Sequence, residues 1–166
     1  MDTEAGRLLL SFLGSFELVL DGEEVRRFDS DKVRALLVYL AVESDRPHRR
    51  ERLAGLLWGD WPERAARQNL RRALSNLRRV IGDQEAHPPF LIVTRQTVQF
   101  NRSSHHWLDV RAFTDLVMAC EEHQHLGLEA CPECVDRLEE AVTIYRGSFL
   151  EGFSVAGAGE FEEWSL

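Results

Sequence analysis

Apolar and polar positions alternate at the start of this chain and then change period. Leu8, Leu10 and Phe12 alternate with Leu9, Ser11 and Leu13; after Gly14, the residues Phe16, Leu18 and Leu20 alternate with polar or smaller ones. A period of two predicts strands. Asp21-Gly22 predicts a type I′ hairpin turn, whose central positions need positive φ, and residues 25–28 are expected to return as a short third strand. The period then becomes helical. Ser30 is a candidate N-cap for a helix with the buried stripe Val33, Leu36, Leu37, Leu40 and Ala41, broken by Pro47. A shorter helix is expected over residues 49–58, with Leu53, Leu56 and Leu57 inward, ending at Gly59-Asp60.

The third helix, residues 62–82, is the most sharply divided. Ala66, Leu70, Ala73, Leu74, Leu77 and Ile81 share one stripe. Arg64, Gln68, Arg71, Arg72, Ser75 and Arg79 fall on the opposite stripe. Pro62 suits the first turn, where a missing N–H costs little, and Gly82 suits the position just past the end. Strands follow at residues 90–94 and 97–100, around an Arg95-Gln96 tip that lacks the usual Gly or Asn. From Leu108 onward the pattern is helical again. Asp109, Ala112, Phe113, Leu116, Val117 and Cys120 mark one helix; Val135, Leu138, Ala141, Val142 and Tyr145 mark a second. Residues 161–166 open a third, in which Phe161, Trp164 and Leu166 lack a following partner helix. A boundary near Ser103-Ser104 divides the chain into two expected domains, 1–103 and 104–166.

Composition adds a class and an electrostatic map. A chain of 166 residues with 44% hydrophobic residues can build an ordinary core. It has no run of ~18 apolar residues, so no membrane span is expected. Its opening MDTEAGR lacks an apolar signal region, so a cytoplasmic location is expected. The net charge of -8 conceals an asymmetry. Residues 46–82 carry ten arginines against three acids, whereas residues 103–166 carry three basic residues against thirteen acids. A basic island on an acidic chain is a local footprint for a polyanion. Arginines neutralise phosphate or grip guanine edges, and Gln and Ser reach other base edges, so double-stranded DNA is the expected partner. Arg49 and Arg50, at the start of the second helix, are candidates for phosphate, helped by the free N–H groups there, and Arg95 at the hairpin tip is a candidate for phosphate or the minor groove. Arg67 and Arg71 sit at the edge of the polar face, where pairing with Glu63 competes with a DNA contact.

A second chemistry is concentrated in fifteen residues. Cys120, Cys131 and Cys134 are the three cysteines of the chain, with His123 and His125 between them. Cys131-Pro-Glu-Cys134 is a knuckle that can place two thiolates on one metal, and Cys120 with one histidine completes a Cys3His set, the closed arrangement of structural zinc. The spacing favours His125 over His123 by a small margin. The alternative is a buried Cys120 beside an incidental or redox-active knuckle. Catalysis is not expected: four protein ligands leave no open position, and the chain shows no nucleophile motif and no phosphate-binding glycine loop.

These residues also carry a resemblance. LGSFEL with the Asp21-Gly22 turn, KVRALLVYLA, RERLAGLLWGD, LRRALSNLRRVIG, VTRQTVQF, LDVRAF and LEEAVTIYRGSFLEGF occur in this order from Leu13 to Phe153. In them the chain resembles the Streptomyces antibiotic regulatory protein family of transcriptional activators. The resemblance implies an α+β fold: an OmpR-like winged helix-turn-helix with an N-terminal antiparallel sheet, then the first part of an all-α, tetratricopeptide-like bacterial transcriptional activator domain. It implies a recognition helix at 62–82, a wing at 90–100, and Arg64, Arg67, Gln68, Arg71, Arg72, Ser75 and Arg79 facing DNA. It further implies RNA polymerase as a partner and a homodimer on repeated half-sites. The competing reading is a protein-interaction module whose basic helix docks an acidic partner, including the chain's own residues 103–166.

Overall fold

The computed structural model describes residues 7–125 and 127–166; the first six residues, part of the stretch read above as free of a secretion signal, lie outside them. Strand β1 (Leu8–Ser11) pairs antiparallel with β2 (Glu17–Leu20), which pairs with β3 (Glu23–Glu24). Asp21 and Gly22 have φ of 52° and 84°, the two positive angles that the type I′ turn demands. The third strand is shorter and earlier than the expected 25–28. A two-residue loop fixes the register, so the ladder begins at once with Leu20 opposite Glu23 and Val19 opposite Glu24.

Three helices follow: α1 (Asp31–Val42), α2 (Arg50–Trp58) and α3 (Glu63–Val80). Ser30 is extended before α1, but its side chain makes no capping hydrogen bond. Helix α1 is buried on more than the expected stripe; Ala35, Val38 and Tyr39 are also covered. Between α1 and α2 lies β4 (His48–Arg49), so Arg49 closes a strand and α2 starts one residue later. β4 pairs with β6 (Thr97–Phe100), and β6 with β5 (Leu91–Val93), giving a second sheet in the order β4-β6-β5.

The chain then returns to the first sheet. β7 (His106–Leu108) runs parallel to β1 on the side opposite β2, and the His106 ring packs edge-on against Phe100 at 4.8 Å. Helix α4 (Asp109–Glu122) starts directly from β7 and lies against α5 (Pro132–Ile144). The residues after α5 come back to the N-terminal sheet: Gly14 N–H donates to Ser148 O at 3.0 Å and Leu150 N–H to Phe12 O at 2.8 Å. Helix α6 (Gly159–Trp164) then packs on α2. Phe161 is fully buried, and Trp164 meets Tyr39 of α1 at 5.0 Å and donates to Glu43 at 2.9 Å. The partner of these residues is therefore the helical layer near the N-terminus, where a missing following helix had been expected. Leu150, Val155, Ala158 and Phe161 belong to the same apolar cluster as Leu8, Leu36, Leu57 and Leu77.

One carboxylate ties these segments together. Asp109 is 1% exposed, and its Oδ2 accepts from the Phe12 and Leu13 N–H groups at 2.8 and 2.7 Å while Oδ1 accepts from Val110 N–H. It thereby satisfies two backbone donors just past the end of β1 that would otherwise be buried without partners.

Candidate nucleic-acid interface

Helix α3 presents the division that its sequence predicts. Ala66, Leu70, Ala73, Leu74 and Leu77 are buried in the main cluster, and Ile81 seals the end. Arg64, Gln68, Arg71, Arg72 and Ser75 are exposed and make no side-chain hydrogen bond or ion pair with any described residue. Buried Asn76 interrupts the apolar stripe; its side-chain oxygen accepts from Asp29 N–H at 3.1 Å and ties the segment before α1 to α3.

The helix ends in a Schellman motif. Gly82, at φ 63°, donates to Arg79 O at 3.2 Å, and Asp83 N–H donates to Arg78 O at 2.9 Å. Asp83 is 1% exposed and does more than end the helix: one oxygen accepts from Arg78 Nε at 2.8 Å and the other from Leu91 N–H at 2.9 Å. It locks the C-terminus of α3 to the first strand of the adjoining hairpin. Sequence reasoning passed over Asp83 and Arg78; a Gly-Asp pair at a helix end is the signal that pointed to them.

The other candidates divide into free and engaged. Arg67 donates to Glu63 at 2.7 Å, the competing pairing foreseen for it, and approaches Glu51 at 3.6 Å. Arg79 lies 3.8 Å from Asp29, with both side chains largely exposed, so the pair is weak. Arg49 is exposed without a partner among the described residues. Arg50 reaches across to the hairpin, its guanidinium donating twice to Thr94 O, at 3.2 and 2.8 Å. Thr94 also explains the tip that lacked a turn signal. Its hydroxyl accepts from Gln96 N–H and Thr97 N–H at 3.2 and 2.9 Å, a side-chain substitute for a tight backbone turn. Arg95 stands exposed at that tip. The free cations thus occupy α3, the start of α2 and the hairpin tip, and Asp83 and Arg50 fix the hairpin to its neighbours. The acidic residues 103–166 do not cover the outward face of α3: α6 lies on α2, where Glu160 meets Arg52 at 2.6 Å.

The cysteine-rich segment forms its own small centre. Cys120, Cys131 and Cys134 are all buried, and Leu138 is the partly buried hydrophobic residue packed on them. His123 Nδ1 lies 3.2 Å from Cys134 Sγ and 3.4 Å from Cys131 Sγ. His125 instead points Nε2 at the Cys120 carbonyl, 3.2 Å away. The structure therefore brings His123 to the thiols, whereas spacing had favoured His125. Burial, followed by the neighbouring Cys131 and Cys120 thiols, pushes the Cys134 thiol up to about 11.

No protein-family profile matches the chain. Its sequence is 33% identical over 82 residues to the transcriptional regulatory protein EmbR of Mycobacterium bovis, a match covering 49% of this chain and 21% of that protein. The EmbR of Mycobacterium tuberculosis gives the same figures, 33% over 82 residues. The match spans about a fifth of the length of these relatives. The solved structure of Mycobacterium tuberculosis EmbR in complex with a low-affinity phosphopeptide superposes with a TM-score of 0.71 at 23% identity, covering 96% of this chain and 41% of that one. The mixed α/β architecture described above is thus also found in EmbR. The sequence likeness is thus to one part of a transcriptional regulatory protein, and the structural likeness is one of fold.

Proposed function

We propose that this chain is a regulator of the Streptomyces antibiotic regulatory protein type and binds double-stranded DNA sequence-specifically through a winged helix-turn-helix. In this reading α2 and α3 are the helix-turn-helix, α3 enters the major groove, and the β5–β6 hairpin is the wing. Residues 104–166 belong to a tetratricopeptide-like activator domain that meets RNA polymerase, and two copies occupy repeated half-sites.

The observation that carries the reading is the outward face of α3, where Arg64, Gln68, Arg71, Arg72 and Ser75 are exposed and uncommitted on a helix whose other face is core. Cations without internal partners have no ion pair to give up on meeting phosphate, and each one that neutralises a phosphate releases counterions. A bidentate arginine–guanine pair adds about 1–3 kcal/mol of discrimination. Arg49 and Arg95 supply phosphate contacts on either side, and Arg50 serves by holding the wing through Thr94. Arg67 contributes least, because Glu63 already neutralises it.

The test is selection of bound duplexes from a random pool near physiological salt, with Arg71→Ala/Arg72→Ala as control. Enrichment of one motif that the control fails to enrich is the expected result. Equal, motif-free binding by both proteins would refute recognition through α3 and favour a docking role for the basic face.

A further inference from the structure

Among the described residues, the α4–α5 hairpin has little apolar core at its outer end. Of the residues of α4, those that are buried are Asp109, at its first position, and Cys120; those of α5 are Cys134 and Ala141. Met118, Val135, Val142 and Tyr145 are exposed. Beyond the anchor at Asp109, the buried side chains of the two helices are two thiols and Ala141, with Leu138 half-buried against the cysteines. A pair of helices this short gains too little from such burial to hold its connecting loop in one shape.

We propose that Cys120, His123, Cys131 and Cys134 form a closed, four-ligand site for a structural zinc ion that staples this hairpin. Three observations converge on it. First, the ligand atoms of His123, Cys131 and Cys134 all lie within 4.8 Å of one another, and Cys120, outside that group of three, is buried in the same cluster with its sulfur 3.6 Å from the Cys134 carbonyl oxygen. Second, the outer groups are those a metal-bound imidazole and thiolate require. His123 turns Nδ1 to the sulfurs and leaves Nε2 on the outer side, 3.9 Å from the exposed Glu133 carboxylate, whose charge favours a ring that becomes more positive on binding a metal. Arg137 Nη1 stands 3.9 Å from Cys134 Sγ, where it offsets the net negative charge of three thiolates around a divalent ion. Third, Cys131 is the N-cap of α5 and Cys134 lies in its first turn, so the positive end of the helix favours both thiolates.

The site is structural. Four protein ligands complete the tetrahedron and leave no position for water or substrate. Binding displaces the thiol protons and couples metal affinity to the folding of the hairpin. Nothing in this inference depends on the DNA-binding reading, because the cluster lies on α4, α5 and the loop between them.

Elemental analysis of the purified full chain, after dialysis against metal-free buffer, is the direct test. About one zinc per chain is expected. Replacement by cobalt(II) is expected to give the strong visible bands of a tetrahedral ion with thiolate-to-metal absorption in the near ultraviolet, a readout that needs no variant. Cys134→Ser and His123→Gln should each lose the metal, while His125→Gln retains it. Hydrogen exchange after chelation should quicken in residues 109–144 and leave α3 unchanged. A chain carrying less than about a tenth of an equivalent of zinc, with three freely titrating thiols and no cobalt spectrum, would overturn the site. So would an octahedral cobalt spectrum, or metal retained in His123→Gln and lost in His125→Gln.

Discussion

Helix α3 and the α4–α5 hairpin are both amphipathic, yet they are held in opposite ways. α3 rests on the common core through Leu70, Leu74 and Leu77 and leaves its polar face uncommitted. The hairpin turns exposed acids and several apolar side chains outward and encloses thiols. Apolar packing is non-directional and tolerates any outward chemistry, so α3 is free to carry a reading surface. In the proposed zinc site thiols and an imidazole meet at set distances, and on that proposal the geometry of the hairpin depends on the metal. The difference shows in charge as well: residues 46–82 carry ten arginines against three acids, and residues 103–166 carry three basic residues against thirteen acids.

The largest expected effect comes from the α3 side of this comparison. Leu77→Ala should lower stability by about 2–5 kcal/mol, since a fully buried leucine leaves a cavity. Urea unfolding checks it, with Val142→Ala, exposed on the hairpin, as the partner variant expected to stay within about 0.5 kcal/mol. Equal losses in the two would break the contrast.

Next is the junction between the two regions. Asp109→Ala should cost about 1–3 kcal/mol for each buried N–H it leaves unpaired, read as a lower urea midpoint. Asn at this position should not restore the wild-type value, because its amide nitrogen must face a backbone donor at one of the two oxygen sites. A smaller loss, about 1–3 kcal/mol in all, is expected of Asp83→Ala, which strands the Leu91 N–H. That variant should also weaken DNA binding by loosening the hairpin from α3.

The smallest effect is a pH dependence at His106. Burial, and then the charges of Arg111 and Arg102, hold its imidazole below the ordinary value of 6.5, against the opposing hydrogen bond to the Ser104 carbonyl. A histidine with a depressed folded pKa takes up its proton more readily when unfolded. Its contribution is therefore fully present above about pH 6.5 and is lost as the pH falls through the lowered value. Urea midpoints at about pH 7.5 and pH 5.5 should fall closer together in His106→Gln than in wild type. An unchanged difference would show that other groups carry the acid sensitivity.

The parts of this molecule that follow from periodicity were open to reading in the residues. The first two strands, the type I′ turn, the two faces of α3 and its glycine stop all rest on local patterns of a few residues. What escaped rests on distant partners. Asp109 acts on Phe12 and Leu13, some ninety-six residues away, and a lone aspartate at a helix start carries no sign of that. Likewise Phe161 and Trp164 find their partners on α1 and α2, and β7 is a strand because β1 has a free edge. The hairpin tip turned on Thr94, the residue immediately before the Arg95-Gln96 pair at which a turn residue was expected. Spacing favoured His125 over His123, the reverse of what the structure places, because both lie just past the end of α4, where a two-residue difference reverses which ring faces the thiols.

The most direct test of the central contrast is the salt dependence of binding to a selected duplex, for wild type and Arg71→Ala/Arg72→Ala, from about 50 to about 200 mM salt. The account predicts a steep log–log line for wild type and, for the double variant, weaker binding with a slope shallower by about two and lost preference over a scrambled duplex. Superimposable lines would show that the outward cations of α3 touch neither phosphate nor base, and would contradict it.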